Sequence, residues 1–299
     1  MSEYWKYRLA AFLSRLPPER MAYWVGLRIA DRYYRRNHAG REAIISNLRT
    51  IYASRGVVPA DEALQGHARK CFQYFGKYLV DFFRFARVTP DEVQRRFSLE
   101  HREYLDQCLT LGRGAVLVTA HFGNWELGGA VMAAMGYKIS AMVLPERMQK
   151  LNRMFQRQRE SRGVHVIPVG RTAVLNVVRL LKQGEIVALL GDRDFTGKND
   201  RVEFFGRKAR IPRGPAWLSF KTGTPILMVF LIRQVDDSFL LRFHPPILPE
   251  EEGSVDALRG RICRTMEMEI GERPYQWFIF DDFWADAYAT QPGAAVRKT

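Results

Sequence analysis

A histidine and a glutamate stand five residues apart where an apolar run gives way to a polar turn. The segment Gly114–Gly129 reads GAVLVTAHFGNWELGG, and His121 follows its apolar run directly. Gly123 permits a tight turn, and a helix is predicted to begin near Glu126. Because ligands of open α/β sheets bind beyond the carboxyl ends of strands, the segment predicts a binding site around His121.

The pair predicts general-base chemistry on a hydroxyl. Five residues do not share a helix face, but the turn can bring His121 and Glu126 together. A carboxylate on one ring nitrogen fixes the tautomer and leaves the other nitrogen free to accept a proton. Asn124, or the backbone N–H groups of the turn, are the candidate donors to an oxyanion. The alternative is a histidine bonded to backbone and a glutamate solvated at a helix start.

A second candidate segment, Gly191–Arg213, also follows a predicted strand, Ile186–Leu190. Its seven Lys and Arg residues favour phosphate binding, because guanidinium groups form paired hydrogen bonds with phosphate. Arg213, which precedes Gly214, is the first candidate for such a contact, and Arg193 is the second. A solvated charged loop is the alternative.

Two carboxylates stand at the start of this segment. We expect Asp192 and Asp194 to pair with neighbouring arginines. A divalent ion between them, as in some sugar-nucleotide transferases, is the alternative, although two carboxylates without further ligands make a poor metal site. The sequence therefore predicts no metal.

Taken together, these motifs resemble a known enzyme family. HFGNWE fits the H-x4-D/E motif of glycerolipid acyltransferases, and the wider pattern resembles the lipid A biosynthesis lauroyl/myristoyl acyltransferases. The resemblance includes GDRDFTGKNDRVEFFGRKARIPRGPAWLSFKTGTPILMVF, residues 191–230, and covers roughly residues 1–285. The mycobacterial phosphatidylinositol mannoside acyltransferase, of the same wider family, is also similar.

This resemblance implies a reaction and roles for particular residues. His121 would deprotonate an acceptor hydroxyl, Glu126 would orient His121, and the alkoxide would attack a thioester of acyl carrier protein or coenzyme A. No other cofactor is implied. Glu203 would be a further active-site carboxylate. The acceptor would be a phosphorylated or glycosylated lipid, and transfer would be direct, within a ternary complex. An apolar groove for the acyl chain would be lined by Phe122, Trp125 and Met132.

Composition narrows the possible partners. The 299 residues carry a net charge of +14 and are 47% hydrophobic, which excludes a disordered chain and predicts an anionic partner. A basic nucleic-acid-binding protein would explain the charge but not a histidine at a strand end. The three cysteines are too few and too scattered for a disulfide framework or a zinc site, so we expect buried thiols.

Basic residues gather at the N-terminus and in a later helix. Residues 1–40 hold eight Lys and Arg among Trp, Tyr and Leu, which favours short helices lying in a membrane interface. Packing of these helices on the core is the alternative. The run Arg147–Arg162 predicts a helix that binds an acidic carrier protein or an anionic membrane, or is merely solvated. With the resemblance, this predicts a peripheral protein on the cytoplasmic face of the bacterial inner membrane.

The elements that position these residues are predicted to be a mixed, largely parallel α/β sheet flanked by helices, with a helical N-terminal layer. Short apolar runs alternate with helical stretches from Gly114 onwards, which is typical of such a sheet. We expect one domain, with interfacial helices at 1–40, a helical layer at 41–110, a catalytic core at 111–285 and a frayed tail at 286–299. The predicted strands are Ala115–Ala120, Ile139–Leu144, Val164–Val169, Ile186–Leu190, Pro225–Ile232 and Phe239–Phe243, the last two forming a hairpin.

Overall fold

The computed structural model describes residues 3–84, 90–146, 148–170, 172–194 and 200–285, and it begins with a layer of helices. These are α1 (Glu3–Arg15), α2 (Glu19–Arg36), α3 (His38–Ser54) and α4 (Asp61–Arg84). Apolar side chains of α4 recur every three or four residues, so one face of the helix is buried against α2 and α3. None of the described helices combines the length and the apolar character that crossing a membrane requires.

A seven-stranded sheet forms the centre of the described chain. Its order is β1-β9-β8-β2-β5-β3-β4, and β6 and β7 form a separate two-stranded hairpin. The strands are β1 (Phe97–Glu100), β2 (Ala115–Thr119), β3 (Ile139–Val143), β4 (His165–Pro168), β5 (Ile186–Leu190), β6 (Arg201–Phe204), β7 (Arg207–Arg210), β8 (Ile226–Arg233) and β9 (Phe239–Phe243). Neighbouring strands of the sheet are parallel except β8 and β9, which are antiparallel.

Helices cover both faces of this sheet. They are α5 (Pro90–Arg96), α6 (Glu103–Thr110), α7 (Trp125–Ala134), α8 (Gln149–Glu160), α9 (Ala173–Lys182), α10 (Gly214–Thr222), α11 (Pro249–Glu252), α12 (Val255–Glu272) and a 3-10 turn, Pro274–Gln276. Successive side chains of a strand point to opposite faces. Accordingly, Val116 and Val118 enter one buried apolar cluster, while Ala115 and Leu117 enter the cluster on the other face. Burial on both faces explains why β2 is apolar up to its last residue, Thr119.

The predicted fold class is confirmed. Each predicted strand is present, and the predicted hairpin is the antiparallel pair of β8 and β9. The three cysteines are buried and free, as predicted. The sequence did not reveal β1 or the β6–β7 hairpin, because strands of four residues give an apolar pattern too short to distinguish from a loop, and at least half of the residues of β6 and β7 are charged. The predicted tail and Arg147 lie outside the described residues.

Candidate active site

The turn between β2 and α7 is held in place from two sides. The N–H of Gly123 donates to the carbonyl of Gln276 at 2.9 Å, and that of Asn124 donates to the carbonyl of Leu231 at 2.8 Å. Gly123 has φ +61°, and a Cβ at this position would lie 2.0 Å from the oxygen of Leu231. Only glycine fits both the backbone conformation and the space, so the turn presents His121 in one defined position.

Asp192 is the carboxylate that orients the imidazole of His121. Nδ1 of His121 lies 2.8 Å from Oδ1 of Asp192, and the backbone N–H of His121 donates to Oδ2 at 2.9 Å. The indole N–H of Trp277 donates to the same Oδ2 at 2.9 Å. A carboxylate only accepts hydrogen bonds, so Nδ1 carries the proton and Nε2 is left as the basic nitrogen.

The sheet register explains why these two residues meet. Strands β2 and β5 are parallel neighbours, and Thr119 pairs with Leu190. His121 and Asp192 each lie two residues beyond that pair, so both strands deliver their residue to the same edge of the sheet. Asp192 is completely buried, and burial alone would raise the pKa of its carboxyl. The interactions with His121 and Trp277 outweigh burial and hold that pKa below its usual value.

Glu126 contacts a different partner from the one expected. Its carboxylate binds the Arg159 guanidinium through two nitrogens, with Nη2 to Oε1 at 2.6 Å and Nε to Oε2 at 2.9 Å. We expected Glu126 to orient His121. In the structure, Asp192 makes this contact instead. The physical reason is that Glu126 lies in the first turn of α7, where its side chain meets α8. Burial favours a raised pKa for Glu126, but Arg159 outweighs it, and charge on His121 contributes in the same direction.

Asn124 supports the turn and is not available to an oxyanion. Its side-chain oxygen accepts the N–H of Leu127 as the cap of α7, and its amide nitrogen donates to Asp81 at 2.8 Å. Asp81 is completely buried and also accepts from Tyr23 and Arg233. Because both polar groups of the Asn124 side chain are committed inside the protein, the expected oxyanion role is corrected to a structural one. The backbone N–H groups of residues 121, 123 and 124 also donate to protein acceptors.

The three residues of the expected acyl groove lie in different surroundings. Phe122 is fully buried in the main core against Phe230, and Met132 is 1% exposed in the core on the other face. These two side chains are therefore core residues, because burial on a packed sheet face leaves no room for a chain beside them. Trp125 differs, since its ring is half-buried, stacks on Tyr78 at 4.4 Å and lies 5.2 Å from the imidazole of His121.

The charged side chains that follow β5 have different partners and different degrees of burial. Asp192 binds His121 and Trp277 rather than the arginines that we expected, and Asp194 is buried. The Arg193 guanidinium lies 3.3 Å from Asp281 and is largely buried, which corrects its expected phosphate contact to an internal ion pair. In the part of the chain that the structure describes, no group of three or more His, Cys, Asp or Glu side chains is arranged to hold a metal ion.

The remaining candidates of that segment are exposed. Glu203 lies in β6 with its side chain in solvent. Arg213 occupies the N-cap position of α10 without a capping hydrogen bond from its side chain, and Gly214 begins the helix. The Arg213 guanidinium lies 3.8 Å from Asp256. Since α10 leads into β8, which is parallel to β2, its N-terminus faces the edge of the sheet that carries His121. A phosphate contact by Arg213 and Gly214 thus stays a prediction.

Sequence reasoning missed two residues of the site. Trp277 follows the 3-10 turn and donates to Asp192, while Arg159 holds Glu126. Nothing in the spacing around Trp277 pointed to the site. Its segment lies against the turn because the N–H of Phe278 donates to the carbonyl of His121 at 2.8 Å. In the sequence, Arg159 was recognisable only as one basic residue of the predicted helix Arg147–Arg162.

The N-terminal helices expose eight large apolar side chains to solvent. The exposed fractions of these side chains lie between 43% for Tyr33 and 68% for Leu16. The set comprises Trp5, Leu9, Phe12, Leu16, Met21, Trp24, Ile29 and Tyr33. Their other faces pack on α4, so the helices are both anchored to the protein and apolar towards solvent.

Comparisons with known proteins agree on the class of reaction. The family model for bacterial lipid A biosynthesis acyltransferases matches residues 1–285. The phosphatidylinositol mannoside acyltransferase of Mycolicibacterium smegmatis is 28% identical over 275 residues, which are 91% of this chain and 88% of that protein. The protein of the same name from Mycobacterium tuberculosis is 27% identical over 98% of this chain and 92% of its own.

Two further comparisons cover less or are more distant. The lipid A biosynthesis palmitoleoyltransferase of Escherichia coli is 29% identical over 69% of this chain and 67% of its own. The crystal structure of the 1-acyl-sn-glycerophosphate acyltransferase PlsC from Thermotoga maritima superposes with a TM-score of 0.40 at 14% identity. That superposition covers 85% of this chain and 99% of the other.

Proposed function

Because the chain belongs to the bacterial lipid A biosynthesis acyltransferase family, we propose that it transfers a fatty acyl chain from a thioester to a hydroxyl of a phosphorylated or glycosylated lipid. The donor is an acyl carrier protein or coenzyme A thioester, and no metal or other cofactor takes part. The observation that carries the proposal is a histidine at the carboxyl end of a central strand, with a buried carboxylate on Nδ1 and, among the residues that the structure describes, no partner on Nε2.

The reaction that we propose proceeds in one complex of enzyme, donor and acceptor. Nε2 of His121 takes the proton of the acceptor hydroxyl as its oxygen attacks the thioester carbonyl carbon. The tetrahedral intermediate then breaks its carbon–sulfur bond, and the imidazolium returns the proton to the departing thiolate. Asp192 stabilises the imidazolium and keeps the ring oriented throughout, without taking the proton itself. No acyl-enzyme is formed, since the acceptor itself is the nucleophile.

Glu126 keeps a place in this proposal as part of the site. Its ion pair with Arg159 fixes the start of α7, the helix that follows the turn of His121. We propose that Glu126 acts as a positioning residue rather than by a direct contact with Nδ1. Glu203, Arg213 and Gly214 are proposed as contacts to the polar part of the substrates.

The acceptor can be narrowed to two classes. A lipid A-like acceptor follows from the family, while a mannosylated inositol phospholipid is the second candidate. The observation that favours the second is coverage, since the relatives named phosphatidylinositol mannoside acyltransferase match 91% and 98% of the chain, against 69% for the lipid A relative. The family leaves no support for the nucleic-acid-binding or glycosyltransferase alternatives.

We also propose a peripheral position on the cytoplasmic face of the inner membrane. The exposed aromatic and aliphatic side chains of α1 and α2, together with the basic residues among them, support this position. Such a surface suits the boundary between lipid head groups and acyl chains. There the enzyme reaches a lipid acceptor in the bilayer and a soluble donor from water.

The test is a transfer assay with His121→Ala beside His165→Ala, an exposed histidine in β4. Purified protein receives an acyl thioester and a lipid extract, and both thiol release and acylated lipid are measured. We expect the first variant to lose transfer with an unchanged circular dichroism spectrum, and the second to retain it. Normal turnover by a folded His121→Ala protein would overturn the mechanism. A separate experiment, mass spectrometry of lipids from cells lacking the protein, would identify the acceptor as the lipid that lacks one acyl chain.

A further inference from the structure

An open groove runs between α1 and α8, outside the site of His121. Its volume is about 700 Å³, and its lining includes Trp5, Arg8, Arg15, Lys150, Arg153 and Arg157. Three of these lie at positions 150, 153 and 157 of the chain, a spacing that places them on one face of α8. The opposite faces of the two helices pack inward. The groove is therefore a built feature of the fold with positive charge along both of its walls.

Within the described part of the chain, these basic side chains have no carboxylate partner. Among the side chains that the structure describes, no Asp or Glu forms an ion pair with Arg8, Lys150, Arg153 or Arg157. Arg15 donates to the carbonyl of Phe83 and to the side-chain oxygen of Gln158, both of them neutral. Like charges brought together repel one another, so an anion bound between them is stabilised. Guanidinium groups in such numbers favour phosphate.

One wall of the groove is also strongly apolar on its outer side. Trp5, Leu9, Phe12 and Leu16 recur at helical spacing along α1 and at its end, and each is at least 48% exposed. Trp5 belongs both to this stripe and to the groove lining. A ligand that suits both surfaces carries phosphate on one part and hydrocarbon on another. A short acidic peptide or a nucleic acid matches the charge but not the stripe.

We propose that the groove binds the phosphate group of an anionic lipid, whose acyl chains lie along the apolar stripe of α1. The inner side of α8 supplies Arg159 to Glu126, and Trp125 lies beside His121. A helix with its side chains is about 10 Å across, so the bound phosphate lies roughly one helix width from the active site. The inference deepens the proposed function and rests on it in one respect, that the enzyme acts on phosphorylated lipid.

Vesicle binding tests the groove without turnover. Full-length protein is floated with vesicles of phosphatidylcholine containing 20 mol% phosphatidic acid, and with vesicles of phosphatidylcholine alone. The variant is Arg153→Gln/Arg157→Gln, and the matched control is Arg179→Gln/Lys221→Gln, which removes the same charge from exposed positions on α9 and α10. We expect the groove variant to lose about tenfold or more of its partitioning to the anionic vesicles. The control is expected to change less than about twofold, in line with the distance of its charges from the groove.

Equal losses in the two double variants would overturn the proposal, because general electrostatics would then explain the binding. Calorimetry with dihexanoyl phosphatidic acid and with inorganic phosphate separates a lipid site from a simple anion site. We expect the lipid to bind more tightly, and Trp5→Ala to weaken the lipid alone. Equal affinity for both ligands would overturn the lipid assignment.

Vesicle binding and turnover, measured on the same variants, distinguish a lipid site from a carrier site and this inference from the proposed function. If the groove variant binds vesicles normally but turns over more slowly with acyl carrier protein as donor, the groove is a carrier site and this proposal falls. Vesicle binding also judges the groove independently of His121. Normal binding by the groove variant, together with an inactive His121→Ala, removes this inference and leaves the proposed function standing. Loss of vesicle binding by the groove variant, together with an active His121→Ala, would support this inference and overturn the proposed function.

Discussion

Nδ1 of His121 lies 2.8 Å from Oδ1 of Asp192, a residue 71 positions further along the chain. The two residues leave neighbouring parallel strands at equal distances beyond a register pair, so the sheet itself brings them together. The second carboxylate oxygen is held by the indole of Trp277 and by the backbone of His121. The arrangement leaves a single basic nitrogen, Nε2, directed away from the buried pair.

Exchanging Asp192 for asparagine tests this relationship. We expect Asp192→Asn to lower kcat by about 10²- to 10⁴-fold, because the amide no longer enforces the tautomer or stabilises the imidazolium. Glu126→Gln is expected to lower kcat less, since Glu126 contacts Arg159. Asp91→Asn, at an exposed aspartate in the first turn of α5, is the control. The measurement is thiol release with saturating donor and acceptor, and the reverse order of the first two variants would assign the orienting role to Glu126.

The ion pair of Glu126 and Arg159 has a signature in the dependence of stability on pH. The pKa of Glu126 in the folded chain lies below its ordinary value of 4.5. The ionised carboxylate therefore adds its full share to the free energy of unfolding above pH 4.5, and this share is lost as the pH falls through the lowered pKa. We expect Glu126→Gln to lower the free energy of unfolding by about 1–3 kcal/mol at pH 7 and to flatten the acid limb of the stability curve.

Urea unfolding from pH 7 down to pH 3 measures both effects of Glu126→Gln. Glu160→Gln, an exposed residue at the end of α8, should follow the wild-type curve. Parallel curves for Glu126→Gln and the wild-type chain would show that the pair contributes nothing through ionisation.

Two glycines separate backbone strain from steric clash. Gly123 and Gly136 both have positive φ, but only at Gly123 would a Cβ meet backbone, 2.0 Å from the oxygen of Leu231. We expect Gly136→Ala to cost about 1 kcal/mol through strain alone and Gly123→Ala to cost several times as much. Activity should fall only with Gly123→Ala, because that turn carries His121. Thermal unfolding and turnover measure the two, and equal losses would contradict this account.

A buried carboxylate joins the helical layer to the same turn. Asp81 accepts hydrogen bonds from Tyr23, Asn124 and Arg233 and is completely buried. We expect Asp81→Asn to destabilise the protein by about 2–4 kcal/mol, because it removes the fully buried one of the two carboxylates that pair with the Arg233 guanidinium and leaves only the partly exposed Asp237. Tyr23→Phe removes one neutral donor and should cost only about 1–2 kcal/mol. Chemical denaturation compares the two, and similar costs would count against a charge-dependent network.

The apolar stripe of α1 is expected to serve membrane binding rather than folding. Leu9→Ser/Phe12→Ser should lower partitioning to phospholipid vesicles by about tenfold or more, because each side chain contributes roughly 1 kcal/mol or more when buried in lipid. Its melting temperature should stay within about 2 °C of wild type, since these side chains already face solvent. Val174→Ser/Leu175→Ser, on an exposed face of α9, is the control. Equal partitioning of all three proteins would contradict the interfacial role.

Local pattern was enough to predict much of this fold. The apolar run before His121, the glycine of its turn and the helix after it are signals carried within about twenty residues, because side-chain periodicity and backbone conformation are local properties. The same holds for the apolar strands β2 to β5, β8 and β9. The charged strands β6 and β7 were missed because each has only four residues and at least half of them are charged, so Arg201–Phe204 and Arg207–Arg210 resemble solvated loops in sequence.

By itself, the sequence determined that His121 stands at a strand end beside a turn and that an acyltransferase pattern surrounds it. Only the tertiary structure decided which carboxylate meets the imidazole. Glu126 is near in sequence, but the first turn of α7 directs it to Arg159 on α8. Asp192 is distant in sequence, but the pairing of β2 with β5 places it against Nδ1. Strand order is set by the packing of the whole sheet, and spacing along the chain does not encode it.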